Sequence, residues 1–264
     1  GVGEFDGDGL LVALDGLALR GPRLDVWRAP TDNDEGGAAP LAARWREIGL
    51  HRMQHRLDQV AARDTTLVVR TRVAPASTDL GLATTYRWTA DGRTLWLAVT
   101  VRPERLWPCP LPRLGLRLSL PDGLDRVAWF GCGPGEAYPD TRQAARVGRY
   151  ESTVDDLQAP YVYPQENGVR TGVRWVSLTG PDGTGLLAHG APLLDFAARR
   201  WTSEQLDAAR HTVDLVPAGR IFLNLDHAQQ GIGSASCGPG VLPGYRLTPE
   251  PVTFTVGLSR APDG

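Results

Sequence analysis

The side chains with the most chemical potential fall into a few short stretches. Arg28-Ala-Pro-Thr-Asp-Asn-Asp34 holds Asp32 and Asp34, a Gly-rich run ends with Glu136 and Asp140, Asp155 and Asp156 are adjacent, and Glu166 follows a little later. Two carboxyls divide acid and base work only when their surroundings push their proton affinities apart. Nothing in these spacings does that. Asp32 and Asp34 share one face if extended, or lie in a turn, and Asp155-Asp156 reads as a polar surface turn. The Asx-rich motif at 32–34 is expected to fold as a turn that caps the next helix.

Residues 161–170 mix Tyr161 and Tyr163 with Gln165, Glu166, Asn167 and Arg170. Aromatic faces that stack on C–H-rich sugar faces, beside planar groups that bond hydroxyls, form this kind of mixture. A buried Glu166–Arg170 network or an interface with a neighbouring domain would use the same residues. His51 and His55 have i, i+4 spacing, but no third ligand is placed with them, so a packed or solvated role is expected. Gly131-Cys-Gly-Pro-Gly135 lacks the strand–loop–helix context and Lys of a phosphate loop. There Glu136 and Asp140 are expected to tie neighbouring loops through Arg partners. Cys109, Cys132 and Cys237 form no C-x-x-C pair and imply no disulfide framework.

The elements that must position these groups are nearly all strands. Leu95, Leu97, Val99 and Val101 alternate with Trp96, Ala98 and Thr100, the period-2 code of a strand with one buried face. Leu114, Leu116, Leu118 and Leu120 repeat it, as do Val252, Phe254, Val256 and Leu258. Residues 66–73 and 221–225 read as further strands, with hairpin turns at 90–93 and 180–183. Two stretches look helical, 40–50 with Leu41, Trp45 and Ile48 on one face, and 203–210. The 31 Gly and 21 Pro are spread between strands and mark no linker. One large antiparallel β-sandwich accounts for the pattern.

Composition narrows the partners. The net charge is −2, from 28 basic and 30 acidic residues, which gives no electrostatic reason to expect nucleic acid or an anionic membrane. Every basic residue is Arg and none is clustered, which reads as codon bias of a GC-rich genome. The chain starts with Gly and its only Met is Met53, so a segment of a longer protein is expected.

Four segments in order carry a specific resemblance: residues 28–34, Trp129-Phe-Gly-Cys-Gly-Pro-Gly-Glu-Ala-Tyr-Pro-Asp140, Ala159-Pro-Tyr-Val-Tyr-Pro-Gln-Glu-Asn-Gly-Val-Arg170, and Asn224-Leu-Asp-His227 leading to Gly231-Ile-Gly233. The chain resembles, from about Phe5 to Leu258, the small-chain domain that ends β-galactosidases of glycoside hydrolase family 2.

The resemblance implies a single galactose-mutarotase-like supersandwich over residues 1–264. It would pack on a (β/α)₈ barrel that carries two catalytic glutamates and shares the galactoside with it. Retaining hydrolysis needs that carboxyl pair roughly 5 Å apart, so no catalytic residue is expected in this chain. It further implies that the loop at Gly36 borders the sugar site as a mobile flap. Cys237 would stand where relatives place a Trp of the sugar platform, although a buried inert thiol reads equally well. Substrate contacts are thus expected at Gly36, Tyr161, Glu166, Arg170 and Cys237. No cofactor is expected in this domain, the magnesium and sodium ions of the parent enzyme being held mainly elsewhere. The parent is expected to be cytoplasmic and a homo-oligomer. An autonomous galactoside-binding module and a mutarotase-like epimerase are the competing readings, the latter without the His/Glu motif it needs.

Overall fold

A computed structural model describes residues 2–37, 40–233 and 240–261. In chain order the elements are β1 (Gly3–Phe5), β2 (Leu11–Leu14), β3 (Leu17–Asp25), α1 (Asp32–Glu35), α2 (Leu41–Ile48), β4 (Met53–Arg63), β5 (Thr66–Pro75), β6 (Leu82–Asp91) and β7 (Thr94–Pro103). They continue as β8 (Arg113–Pro121), β9 (Arg126–Gly133), β10 (Arg146–Thr153), β11 (Arg170–Thr179), β12 (Gly185–Arg199), α3 (Ser203–Ala208), β13 (Arg220–Gln229) and β14 (Val252–Arg260). Each strand pair is antiparallel.

The alternating strands behave as their sequence dictates. Leu95, Leu97, Val99 and Val101 of β7 are all buried, as are Leu114, Leu116, Leu118 and Leu120 of β8. A period of two puts every second side chain on the core face, and each buried leucine removes enough apolar surface to contribute about 1.5–3 kcal/mol. The β6–β7 hairpin pairs Asp91 with Thr94, and Gly92 supplies the positive φ of 58° that the tight turn requires.

The strand order runs β1-β2-β3-β8-β13-β12-β14-β7-β6-β5-β4, with β11, β9 and β10 branching from β12. The branch explains how one continuous network becomes a sandwich. β12 keeps β11 along one side, while on the other its residues 186–191 pair with β14 and its residues 195–199 pair with β13. A strand that changes partners midway turns a corner between sheets. The apolar faces then meet in one core, which includes Leu24, Leu97, Leu116, Trp129, Val176, Phe196, Leu223 and Leu258 from eight different strands. The fold is an all-β antiparallel sandwich.

Both expected helices are present, shorter than their apolar spacing suggests. α2 ends at Gly49, which takes a left-handed φ of 92° and returns its N–H to the Trp45 carbonyl. α3 starts with a capping box in which Thr202 and Gln205 satisfy each other's backbone N–H groups. The additional helix α1 is the Asx motif itself. Thr31 Oγ1 accepts from the Asp34 N–H, and Asp34 Oδ2 accepts from the Thr31 N–H. The motif therefore caps its own first turn instead of the helix that follows.

Candidate functional site

The four motifs, scattered over more than two hundred residues, meet at one end of the sandwich. They lie on segments 26–37 after β3, 134–145 between β9 and β10, 154–169 between β10 and β11, and 230–233 after β13. The Glu166 N–H donates to the Ala29 carbonyl at 3.3 Å, and the Asp32 N–H to Gln165 Oε1 at 3.1 Å, so the first and third segments touch. Asn33 Nδ2 donates to the Ile232 carbonyl at 2.8 Å, which joins the first to the fourth. The Ala137 N–H donates to the Val169 carbonyl at 2.8 Å, joining the second to the third.

Buried charge holds this cluster. Among the described residues four carboxylates (Asp25, Asp34, Glu166, Asp226) and four guanidiniums (Arg28, Arg113, Arg170, Arg199) are buried. Buried charges persist when paired or well hydrogen-bonded: Arg28, Arg113 and Arg199 meet carboxylates, and Arg170 meets backbone carbonyls. Glu166 Oε1 is the centre, accepting from Arg199 Nη2 at 2.5 Å, Arg113 Nη2 at 3.4 Å and the Tyr138 hydroxyl at 3.4 Å. Burial alone would raise its pKa, but Arg199, Arg113 and Arg28 outweigh it and hold the carboxyl below its ordinary value. From β8, Arg113 reaches Asp226 at 3.1 Å, the Trp27 carbonyl at 3.2 Å and Ser203 Oγ at 3.2 Å. One guanidinium thus connects the first segment, β13 and α3.

Arg170 corrects one sequence reading: it makes no pair with Glu166. Its guanidinium donates to the carbonyls of Leu157, Gly168 and Pro134 at 2.8–3.0 Å and lies 5.4 Å from the Trp129 ring. Burial without a carboxylate partner lowers its pKa, with Glu136 and Tyr138 opposing. Glu136 and Asp140 do tie loops, yet not through Arg. Glu136 accepts from the Gly168 N–H at 2.7 Å and the Tyr161 hydroxyl at 3.2 Å, and Asp140 from the N–H groups of Ile232 and Gly233 at 3.1 and 2.8 Å. Backbone amides in closely packed loops need acceptors, and a short carboxylate reaches them without the length of an Arg.

Around this buried centre lies an exposed rim. Tyr161 is 39% exposed, Val162 86% and Tyr163 54%. Asp32, Gly36 and Gly37 on the first segment are exposed as well, and Asp32 is close enough to Tyr161 to add to the effects of burial and Glu136 that push its phenol up to about 12. Of the expected contact residues, Gly36 and Tyr161 therefore lie on the rim, Glu166 and Arg170 lie beneath it, and Cys237 falls outside the described residues. Gly36 has φ −87°, so no left-handed strain marks it as a hinge.

Among the described residues two carboxyls have strongly raised proton affinity, and neither is on the rim. Burial raises Asp226 to about 6 against the opposing pull of Arg113, and raises Asp195, its cross-strand partner on β12, to about 7. His51 and His55 do not share a helix; His51 lies 5.6 Å from the Trp27 ring and His55 is on β4, kept neutral near neutral pH by burial with a pKa of about 4. Among the described residues no group of three or more His, Cys, Asp or Glu side chains is placed to hold a metal ion. Cys109 is buried and its thiol is pushed up to about 11 by burial, so it is inert near neutral pH.

Sequence reasoning missed Arg113 and Arg199 altogether. Each stands in a strand, opposite Gln229 and Phe222 respectively, and only the tertiary fold that brings the loop carrying Glu166 to them reveals it. Asp226 was inside a quoted motif, but its alternation with Leu225 and Leu223 gives no hint of an ion pair.

The family described as beta galactosidase small chain matches residues 5–258. A β-galactosidase of Arthrobacter sp. (strain B7) is 37% identical over 99% of this chain and 28% of its own length. One of Aeromonas hydrophila is 38% identical over 84% of this chain and 22% of its own length. The chain thus spans about a quarter of the length of these curated relatives. Among solved structures, a galactose mutarotase related enzyme from Lactobacillus acidophilus covers 94% of this chain and 84% of its own at 7% identity, with a TM-score of 0.45. A likeness that loose adds nothing to the strand order described above. The family match takes in all four segments of the loop cluster and nearly the whole sandwich, and on that ground the chain belongs to the β-galactosidase small chain family.

Proposed function

We propose that this chain is the small-chain domain of a longer, retaining β-galactosidase, in which it forms part of the sugar-binding mouth and leaves bond cleavage to glutamates elsewhere in the parent. The observation that carries this reading is the convergence of the four motif segments into one cross-linked cluster with an aromatic rim. Tyr161 and Tyr163 offer apolar faces for a pyranose, with Asp32 beside them to accept from hydroxyls. Glu166 and Arg170 serve this rim from below, by fixing the backbone that carries it.

A retaining mechanism requires a nucleophile and an acid about 5 Å apart and open to substrate. Here the cluster's carboxyls other than the exposed Asp32 are committed as tethers, which leaves, among the described residues, no second open carboxyl beside it: Glu136 and Asp140 hold backbone amides, Asp34 holds Arg28, and Glu166 and Asp226 hold Arg113. The magnesium and sodium ions that the resemblance implies belong, in this reading, to the remainder of the parent.

The test is kinetic. The purified chain is expected to give no turnover of nitrophenyl β-galactoside, while the full-length parent carrying Tyr161→Ala or Tyr163→Ala is expected to show KM raised about three- to tenfold with kcat within about twofold. A substantial rate from the chain alone would sink the assignment. So would parent variants whose KM equals that of the unaltered enzyme.

A further inference from the structure

One side chain spans two rim segments. Arg28 Nη2 donates to both oxygens of Asp34 at 2.9 Å and to the Gly231 carbonyl at 3.0 Å, while Nη1 donates to the Gln230 carbonyl at 2.6 Å. The guanidinium is wholly buried and lies 5.7 Å from the Trp45 ring of α2. Asp34 is itself the N3 partner of Thr31 in the capping box of α1, so the same carboxylate that shapes the Gly36 segment also orients the Arg28 fork.

Two neighbouring contacts reinforce the connection. Asn33 Nδ2 meets the Ile232 carbonyl, and Asp140 receives the next two backbone amides of the same segment. The approach is close enough to exclude any side chain at Gly231: a Cβ there would lie 2.3 Å from Asp140 Oδ2. Glycine at this position is a packing requirement, not a flexible joint.

We infer that Arg28 is a positioning residue that locks the rim segment 31–37 to the segment 230–233, so that the two present their surfaces at a fixed separation. The fork geometry matters as much as the charge. An Arg satisfies Asp34 and two carbonyls from one planar group, whereas Lys supplies a single compact ammonium that can hold Asp34 but cannot span to both carbonyls. Loss of the span frees both segments, and the strands beneath, held by apolar burial, are unaffected.

Amide hydrogen exchange on the chain tests the lock directly. In Arg28→Lys, amides of 31–37 and 230–233 are expected to exchange about tenfold faster together, with β8 and β13 residues 221–225 unchanged. Asn33→Ala, which removes the bond to the Ile232 carbonyl at a half-exposed site, is expected to raise exchange in the same two segments by about threefold and provides the readout should Arg28→Lys fail to fold. Acceleration confined to 31–37, or spread equally over all strands, would overturn the inference. The second arm rests on the function proposed above: in the full-length parent, Arg28→Lys is expected to raise KM for nitrophenyl β-galactoside about three- to tenfold with kcat nearly constant. If the exchange result holds and KM does not move, the lock stands and the placement of these segments at the sugar mouth falls.

Discussion

The two ends of β8 are stabilised by different physics. At Leu114, Leu116, Leu118 and Leu120 the strand contributes apolar surface to the common core. One residue earlier, Arg113 enters the loop cluster and bonds Glu166, Asp226, Trp27 and Ser203. Apolar burial is non-directional, and leucine cores accept substitutions of similar volume. The ionic cluster has fixed donors and acceptors, and removing one member strands the others without water. The core therefore gives the molecule its fold, and the cluster fixes the conformation of the loops at one end.

Glu166→Gln should break the contrast most severely. It leaves Arg113 and Arg199 buried with their central carboxylate gone, and a loss of about 3–5 kcal/mol in urea unfolding is expected. Leu116→Ala, which empties space in the core, should cost about 2–5 kcal/mol. The two are separated by pH. Because the Glu166 carboxyl is held below its ordinary 4.5, its contribution is present above that pH and is lost as pH falls through the folded value. The gap between Glu166→Gln and the unaltered chain should close in acid, whereas the gap for Leu116→Ala should persist. A Glu166→Gln deficit as large at pH 3 as at pH 7 would show that packing, not charge, holds the loops.

Asp195 tests the opposite sign. Its folded pKa of about 7 lies above the ordinary 3.8, so its contribution is complete below about pH 3.8 and is lost as pH rises through 7. Asp195→Asn retains an oxygen to accept from the Gly172 N–H and carries no charge to bury. The facing groups are Asp226, which repels the ionised form, and Arg142, which favours it. Because Asp195 is only partly covered, solvent screening reduces the effect, and the variant should be more stable than the unaltered chain by about 1–2 kcal/mol at pH 8 and equal to it near pH 4. Equal stability at pH 8 would remove Asp195 from the account. The smallest expected effect is local: Thr202→Ala deletes the cap of α3 and should cost about 1 kcal/mol in thermal unfolding, leaving the pH profile unchanged.

Much of the fold was legible because its signals are local. The alternation in β7, β8 and β14, the Asp-Gly turn before β7 and the helix at Trp45 each follow from residues within a few positions of one another. α1 was not read, since a four-residue helix has no apolar period and is made by the mutual capping of Thr31 and Asp34. The reading of Glu166 with Arg170 failed for a related reason. Both lie in one short motif, but the chain enters β11 at Arg170 and turns its guanidinium to three carbonyls of two loop segments.

The sequence by itself determined that this protein is a β-sandwich of the small-chain family, because strand period and motif order survive without knowledge of contacts. Gly36, Tyr161, Glu166 and Arg170 were among the substrate contacts expected from the family resemblance. Which of them face outward, and which are structural supports, only the tertiary structure decided. Burial and pairing depend on residues brought together from distant strands, as Arg113 and Arg199 are brought to Glu166, and no local pattern encodes that meeting.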